Sequence, residues 1–379
     1  MKIIKGGVSA ALGFKANGMS CGIKKSGKPD LALIACDVPS AVASVFTQNS
    51  IKAAPIIVSQ EKMRSKKAQA IIVNSGNANC FTGSFGLLYA RRSTELIAEL
   101  MNINSDHVLV ASTGIIGRPL PYKKIEEAAP RLVAGLSAKN GKKAAQAILT
   151  TDKKIKETAV TFFLGGKKVT IGACAKGSGM IQPNMATMLG FITTDCAIAQ
   201  PLLAQGLRLA VEPSFNSITV DGCMSTNDMV TILASGLAGN KTIDAPGKDF
   251  KIFCQALNFV CLDLAKKIIL DAEGATKFIE VTVTGAASHH QAKQAALAIT
   301  NSSLVKTAAY GCDPNWGRVA AAVGSVGLKV SEKDLKIRFS SFAKKNIAIS
   351  VDLNCGRQKA TVYTCDLTLE YVKINGKYN

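Results

Sequence analysis

Apolar residues fall along this chain in two rhythms, short continuous runs and recurrences every three or four positions, and their alternation predicts a mixed α/β protein. Asp30 to Cys36 (DLALIAC), Ala70 to Val73 and His107 to Ala111 are short apolar runs bounded by turn formers, as buried strands are. Between them, Tyr89 to Met101 (YARRSTELIAELM) carries apolar residues at helical spacing with Arg and Glu on the other face. Tyr122 to Leu136 reads the same way, with a break or kink expected at Pro130. Further on, Phe250, Phe253, Leu257, Val260, Leu264 and Ile268 predict one long amphipathic helix, and Phe278 to Val283 (FIEVTV) alternates as a strand. No low-complexity tract or internal repeat interrupts the pattern.

With 379 residues, 47% of them hydrophobic and 19% charged, the chain can bury a large core, as two domains or one large sandwich. Its apolar stretches are broken by Gly, Thr or charge well short of the roughly 18 residues that a membrane span needs. The opening Met1-Lys-Ile-Ile-Lys-Gly-Gly has no apolar core or small-residue cleavage site of a secretory signal. A soluble, cytoplasmic protein without a membrane partner is expected. Eleven cysteines from Cys21 to Cys365, with no C-x-x-C pair, fit reduced thiols that act mostly as small buried hydrophobes. The three histidines, His107, His289 and His290, lie in no metal-ligand spacing, so no metal site is expected, and the chemistry is expected to do without His.

A formal net charge of +20 raises the question of nucleic acid. The lysines, however, sit in short clusters along the whole chain, such as Lys24/Lys25, Lys153/Lys154 and Lys344/Lys345, and aromatic residues make up only 6% of it. Stacking platforms for bases are therefore scarce. The charge reads as solvated surface lysine that aids solubility and draws anionic substrates, and no nucleic-acid partner is expected.

The segment richest in chemistry is Lys176 to Asp195, KGSGMIQPNMATMLGFITTD. Two glycines and a proline make its first half irregular, whereas Met188 to Thr193 reads as a buried strand. Thr187 stands at the junction, where a rigid strand can present its first residue to a cleft. A threonine made N-terminal by cleavage gains an α-amine of reference pKa about 7.7–8.0, close enough to neutral to act as base for its own hydroxyl. The pattern alone also fits an ordinary strand-capping Thr. Gly177-Ser178-Gly179 is not a phosphate loop, since no G-K-[ST] follows and no G-x-G-x-x-G is present.

This segment resembles the cleavage site of the ornithine acetyltransferase family (glutamate N-acetyltransferases, ArgJ), in which autoproteolysis occurs at an Ala-Thr or similar bond. The resemblance runs along the whole chain in family order: Gly6-Gly7-Val8 with Gly13-Phe14, Val45-Phe-Thr-Gln-Asn49 with Ala53-Ala-Pro55, and Asn74-Ser-Gly-Asn-Ala-Asn79. Ser214-Phe-Asn216, Thr226-Asn-Asp228 and Asp313-Pro-Asn-Trp-Gly-Arg318 continue it. Ordered agreement of this kind is far more specific than any single motif.

The resemblance implies cleavage between Ala186 and Thr187, with Thr187 as nucleophile. Ser112-Thr113-Gly114 matches the family's oxyanion element, which implies that the Thr113 hydroxyl and the Gly114 amide donate to the tetrahedral oxyanion. Read without the family, it is a strand-end turn. Thr150, in Leu149-Thr-Thr-Asp152, matches a substrate-binding threonine, against a helix-to-loop cap as the plain alternative. Lys176 matches a lysine that pairs with the substrate carboxylate, although most lysines in so basic a chain are merely solvated. Glu273, in Asp271-Ala-Glu-Gly274 at the end of the long helix, matches a residue suited to the ornithine ammonium; carboxylates there are disfavoured by the helix dipole, and simple solvent exposure is the other reading. Asn375 matches a C-terminal binding asparagine. The chain departs from the family at Ala272, Lys153 and Cys223-Met224, and stops at Asn379, one residue before the family's final substrate-contacting Ser or Thr. These departures are expected to weaken substrate affinity and to leave the chemistry intact.

The activity that the resemblance implies is ping-pong acetyl transfer from N2-acetylornithine to glutamate in arginine biosynthesis, through an acetyl-Thr187 intermediate. No cofactor is implied, with acetyl-CoA as a co-substrate in a bifunctional variant. An N-terminal-nucleophile amidase or aminopeptidase is the remaining enzymatic alternative. The implied architecture is a layered α/β sandwich of two sheets flanked by helices, like that of the DmpA aminopeptidases, with a smaller C-terminal domain. An α fragment (1–186) would carry the oxyanion element and cleavage loop, a β fragment (187–379) would begin with the nucleophile, and the two would associate as α2β2.

Overall fold

The computed structural model describes residues 1–182 and 188–376. In chain order its first elements are β1 (Lys2–Ile4), β2 (Phe14–Met19), β3 (Leu31–Phe46), α1 (Ala54–Lys62), β4 (Lys67–Asn77), α2 (Gly83–Met101) and β5 (Val108–Ile115). There follow α3 (Tyr122–Ala134), α4 (Gly141–Ala147), β6 (Lys156–Leu164), β7 (Lys167–Lys176), β8 (Leu189–Thr194), α5 (Gln200–Val211), β9 (Met229–Ala234) and α6 (Lys248–Leu270). The last are β10 (Phe278–Ala286), α7 (His289–Asn301), α8 (Ser303–Tyr310), α9 (Trp316–Gly324), β11 (Lys336–Phe339), β12 (Asn346–Asp352), β13 (Gln358–Cys365) and α10 (Leu369–Asn375).

Among the described residues the strands form two mixed sheets flanked by helices. The larger has nine strands in the order β1-β6-β7-β8-β9-β3-β4-β5, with β2 paired to β3 off that path. Its continuity rests on β3, whose Leu31–Cys36 part pairs with β2 and whose Ala41–Phe46 part pairs with β9. The apolar pattern ends a strand at Cys36, but the chain continues to Phe46. Between the two parts the register against β4 shifts, at an exposed Asp37 and Pro39, where a residue without an amide N–H loses nothing. Parallel pairs occur at β4–β5 and β8–β9, and antiparallel ones elsewhere in this sheet.

The strands bury alternate residues in different cores. In β3, Leu31 and Leu33 pack with Ala90, Ile97, Ile125 and Leu132 of α2 and α3, while Ala32 and Ile34 pack with Ala144, Ala145 and the N-terminal Val8 and Phe14. Further along the sheet, Val160, Phe162, Ile171, Ala173 and Ile232 pack on α5 and α6. Phe253, Leu257, Val260, Leu264 and Ile268 form the buried stripe of α6, which is the long helix expected from their spacing. α3 runs through Pro130 without ending there, so of the break or kink expected at that residue the break does not occur. Ala128, Ala129 and Leu132 are buried on both sides of the proline, so tertiary packing holds the turn that lacks one backbone hydrogen bond.

The second sheet, in the order β11-β12-β10-β13, lies wholly after α6 and has its own core with α7, α8 and α9. Its β13 reaches back to the larger unit: Tyr363 and Cys365 join the core under α6, and Thr219 N–H donates to Tyr363 O at 2.9 Å. No described helix is long and apolar enough to cross a membrane.

Candidate active site

The parallel strands β4 and β5 end together, with Ser75 opposite Thr113 and Gly76 opposite Gly114, and the register then slips at Asn77. At Gly114 φ is +133°, and a Cβ would lie 2.4 Å from the Gly76 carbonyl carbon, so only glycine fits. A mesh of amides fixes this irregular backbone. Ser112 Oγ donates to Asn74 Oδ1 at 2.6 Å, Asn74 Nδ2 donates to Asn77 O at 2.8 Å, and Asn227 Nδ2 donates to both Ala78 O and Ser112 O at 2.7 and 2.9 Å. The asparagine-rich Asn74–Asn79 segment is thus scaffolding that sets Thr113 and Gly114 at a cleft wall.

Lys176, the last residue of β7, meets Thr113 of β5 although β8, β9, β3 and β4 lie between their strands in the sheet order. Its side chain is only 3% exposed, and Nζ donates to Thr113 Oγ1 at 3.4 Å. Burial pulls the Lys176 pKa below the ordinary lysine value, while the carboxylates of Asp152, Glu273 and Asp228 favour its charged form. Asp152 is the hub behind it. It accepts the Gly177 N–H at 2.7 Å, the Thr150 N–H at 3.1 Å and Lys156 Nζ at 2.6 Å, and stands 4.0 Å from Lys176 Nζ. Burial works against its charge, but Lys176 and Lys156 hold the carboxyl well below the usual carboxylate range. Lys156 also reaches Asp271 Oδ2 at 2.6 Å, and that oxygen accepts the N–H groups of Lys153 and Lys154 at 3.1 and 3.0 Å.

Asp271 closes α6 and opens the turn that carries Glu273, which is buried and not solvated. Glu273 N–H donates to Ser178 O at 2.9 Å, and Asn375 Nδ2, from the end of α10, donates to Glu273 Oε2 at 2.8 Å. A Cβ on Gly179 would sit 2.4 Å from Glu273 Oε2, so the Gly177–Gly179 stretch is glycine-rich where backbone and carboxylate crowd together. α10 is held in place by Thr368, which accepts the Tyr371 N–H as its N-cap and donates to Gly274 O at 2.8 Å.

Thr113, Gly114, Thr150, Lys176, Glu273 and Asn375 thereby line one cleft, together with Ser225 and Asn227. A buried ammonium and a buried carboxylate both face it, which is complementary to an α-amino acid. A second, basic hollow adjoins it at Gly114 and Thr150, formed in part by Lys24, Lys25 and Arg118. Lys24 there is pulled down to about 8 by burial, against the pull of Asp30. Among the described residues no group of three or more His, Cys, Asp or Glu could hold a metal ion. Ala186 and Thr187 lie outside the described residues; Met188, next to Thr187 in the chain, donates its N–H to Asp228 Oδ1 at 2.9 Å.

Sequence pattern assigns no task to Asp152, Asp228 or Asn227. Each stands inside or beside a motif notable for other reasons, and their buried contacts form between segments dozens of residues apart.

Two mixed sheets flanked by helices, with a cleft lined by a buried lysine and a buried glutamate, define an α/β protein with a polar, charged candidate active site. The ArgJ family profile matches residues 15–379, and the chain belongs to that family. It is similar to proteins named arginine biosynthesis bifunctional protein ArgJ from Gloeobacter violaceus (45% identical, covering 99% of this chain and 98% of the relative) and Geobacter sulfurreducens (46%, covering 97% and 98%). Among solved structures, ArgJ from Bacillus halodurans is 41% identical with a TM-score of 0.46, covering 49% of this chain and 97% of its own. An ornithine acetyltransferase complexed with ornithine, from Mycobacterium tuberculosis, is 33% identical with a TM-score of 0.45, covering 48% and 97%.

Proposed function

We propose that this protein is an acetyltransferase of arginine biosynthesis that moves an acetyl group from N2-acetylornithine to glutamate through an acetyl-Thr187 intermediate, after cleavage between Ala186 and Thr187. The observation that carries the reading is the convergence of Thr113, Gly114, Thr150, Lys176, Glu273 and Asn375, from separate parts of the chain, on one cleft. Thr187 Oγ, with its α-amine as base, attacks the acetyl carbonyl, and the Thr113 hydroxyl and Gly114 amide take the oxyanion. Lys176 already donates to Thr113 Oγ1, which leaves the Thr113 proton free to point elsewhere. Lys176 binds the substrate carboxylate, Glu273 the ornithine ammonium, and Thr150 and Asn375 complete the grip. Exchange of one amide for another is closely balanced in energy and requires no nucleotide, metal or redox group.

Use of acetyl-CoA as a second donor would make this protein bifunctional, the word that the relatives' names carry. The basic hollow beside Gly114 and Thr150 is consistent with attraction of anionic substrates. The larger sheet pairs β7 with β8 across the cleavage position, which supports fragments 1–186 and 187–379 staying bound to each other; their assembly as α2β2 is what the family resemblance implies.

The test is turnover with acetylornithine plus glutamate, with acetyl-CoA plus glutamate, and with acetylornithine in water alone, alongside intact-mass and native-mass measurement. Two chains meeting at Ala186/Thr187, and their loss in Thr187→Ala, are expected with N-acetylglutamate as product. Hydrolysis without transfer would make the protein an amidase, and an intact, fully active chain would remove Thr187 from the mechanism.

A further inference from the structure

One cleft that serves both ornithine and glutamate must accept side chains of opposite charge. The two amino acids share an α-carboxylate and the α-amine that carries or receives the acetyl group, but one side chain ends in an ammonium and the other in a carboxylate. Glu273, buried on the cleft wall, suits the first and repels the second. The basic hollow that adjoins the cleft at Gly114 and Thr150 has the opposite character. Lys24, Lys25 and Arg118 line it, and none of the described residues lining it is acidic.

Lys24 is the fixed cation of that hollow. Asp30, fully buried, accepts the N–H groups of Cys21 and Lys24 at 2.6 and 2.8 Å and so shapes the loop that presents the side chain. The Lys24 stem lies against the end of β4, where a Cβ on Gly76 would come within 2.9 Å of Lys24 Cγ; Gly76, at φ +96°, pairs with Gly114 across β4 and β5. At the tip, Nζ donates to Pro29 O and Leu149 O at 2.7 Å each, which sets the ammonium one residue from Thr150. An ammonium has three N–H groups, and these carbonyls engage two. Burial pulls the Lys24 pKa down to about 8, with Lys176 adding to the fall and Asp30 and Asp152 opposing it. An anion bound there would offset both the desolvation and the repulsion. Lys25 and Arg118, both exposed, complete the positive lining.

We infer that Lys24 is the specificity-determining residue for the acyl acceptor: the hollow that carries it takes the side-chain carboxylate of glutamate, while Glu273 takes the side-chain ammonium of ornithine. The α-carboxylate common to both stays with Lys176. The inference rests on the acetylornithine-to-glutamate reading above. Two subsites of opposite charge, meeting at Gly114 and Thr150, let one cleft serve both halves of the exchange without placing like charges in contact.

Each half of the exchange has its own readout. Exchange of labelled ornithine into acetylornithine uses the donor's subsite alone, whereas transfer to glutamate uses both. Lys24→Met keeps an apolar stem over Gly76 and removes the charge. Expected is a rise in KM for glutamate of about tenfold or more, the scale of a hydrogen bond to a charged group, with ornithine exchange within about two-fold of wild type. The preference for glutamate over glutamine, which lacks the charge, should fall by the same factor. An unchanged KM for glutamate overturns the inference, and so does a parallel loss of exchange, which would make Lys24 merely structural. A rise in KM for acetyl-CoA with glutamate unaffected also overturns it, by assigning the hollow to the phosphates of that donor. Where Lys24→Met fails to fold, Lys24 of the wild-type protein is labelled with an acylating reagent and followed by peptide mass spectrometry. Protection by glutamate and not by ornithine is expected; equal labelling with either amino acid overturns the inference. Wild-type protein that catalyses neither exchange nor transfer would fail the acetyl-transfer reading and this inference with it. With exchange present and glutamate insensitive to Lys24, only the assignment of Lys24 fails.

Discussion

Lys156 and Asp271 stand 2.6 Å apart in the protein interior, and the same ammonium contacts Asp152 at 2.6 Å, so one buried cation ties the loop of Thr150 to the turn of Glu273. Removing the cation leaves two buried carboxylates facing each other. Lys156→Met is expected to lower stability by about 3–5 kcal/mol, the scale for breaking a buried pair from one side. Adding Asp271→Asn should recover part of that loss, because the two changes share one interaction. Denaturant midpoints of the single and double variants check this; additive losses would mean that the residues act independently.

Gly179→Ala tests the crowding at Glu273. The new methyl would meet Glu273 Oε2 at 2.4 Å and displace the far end of that side chain, and with it the hydrogen bond from Asn375 Nδ2. The fold should survive, since a flexible side chain yields. KM for acetylornithine should rise roughly tenfold with kcat nearly unchanged, the loss expected when one hydrogen bond to a charged group is misplaced. An unchanged KM would separate Glu273 from substrate binding.

Thr113→Ala removes an oxyanion donor while Gly114 and its asparagine scaffold remain. A reduction in kcat of about 10²- to 10³-fold is expected, with circular dichroism and thermal midpoint close to wild type. Lys176→Met should differ in raising KM as well, because it removes the carboxylate partner together with the group that fixes the Thr113 hydroxyl. Equal kcat in Thr113→Ala and wild type would take Thr113 out of the site.

Asp152 makes acid stability predictable in sign. Its folded pKa lies below the ordinary carboxylate value, so its contribution is fully present above pH about 4 and is lost as pH falls through the depressed folded value. Thermal midpoints of the wild type should fall steeply below pH about 4. Asp152→Asn should be less stable at neutral pH and show a shallower dependence in that acid range; parallel curves would dismiss the linkage.

Asp228 has the opposite sign. Its folded pKa is raised, so the stability it contributes is present below pH about 4 and is lost as pH rises through the folded value. In chains kept uncleaved by Thr187→Ala, adding Asp228→Asn should therefore raise the thermal midpoint at pH 7–8 relative to its effect at pH 4. The same shift at both pH values would show that the carboxyl does not titrate in that window.

Family resemblance, through motif order, picks out Thr113, Gly114, Thr150, Lys176, Glu273 and Asn375 among the residues that line the cleft, whereas Ser225 and Asn227 were not singled out; linear pattern alone is enough for the α/β character, the stripe of α6 and the strand after Thr187. These are local periodicities or chemical signatures, and they are legible because a buried stripe or a β-strand needs only its own spacing to be recognised. Other features were decided by contacts between distant segments. The apolar run of β3 ends at Cys36, but pairing with β9 carries the strand to Phe46. Pro130 signals a break or kink, and burial of Ala128, Ala129 and Leu132 keeps α3 unbroken. Exposure of Glu273 was open in the sequence, and Asn375 and Ser178, both far from it along the chain, close over it. Lys156 looks like any lysine of a basic chain until Asp152 and Asp271 meet on it. A charge's environment is set by whatever the fold brings within a few ångströms, and that is a property of tertiary structure which linear spacing does not encode.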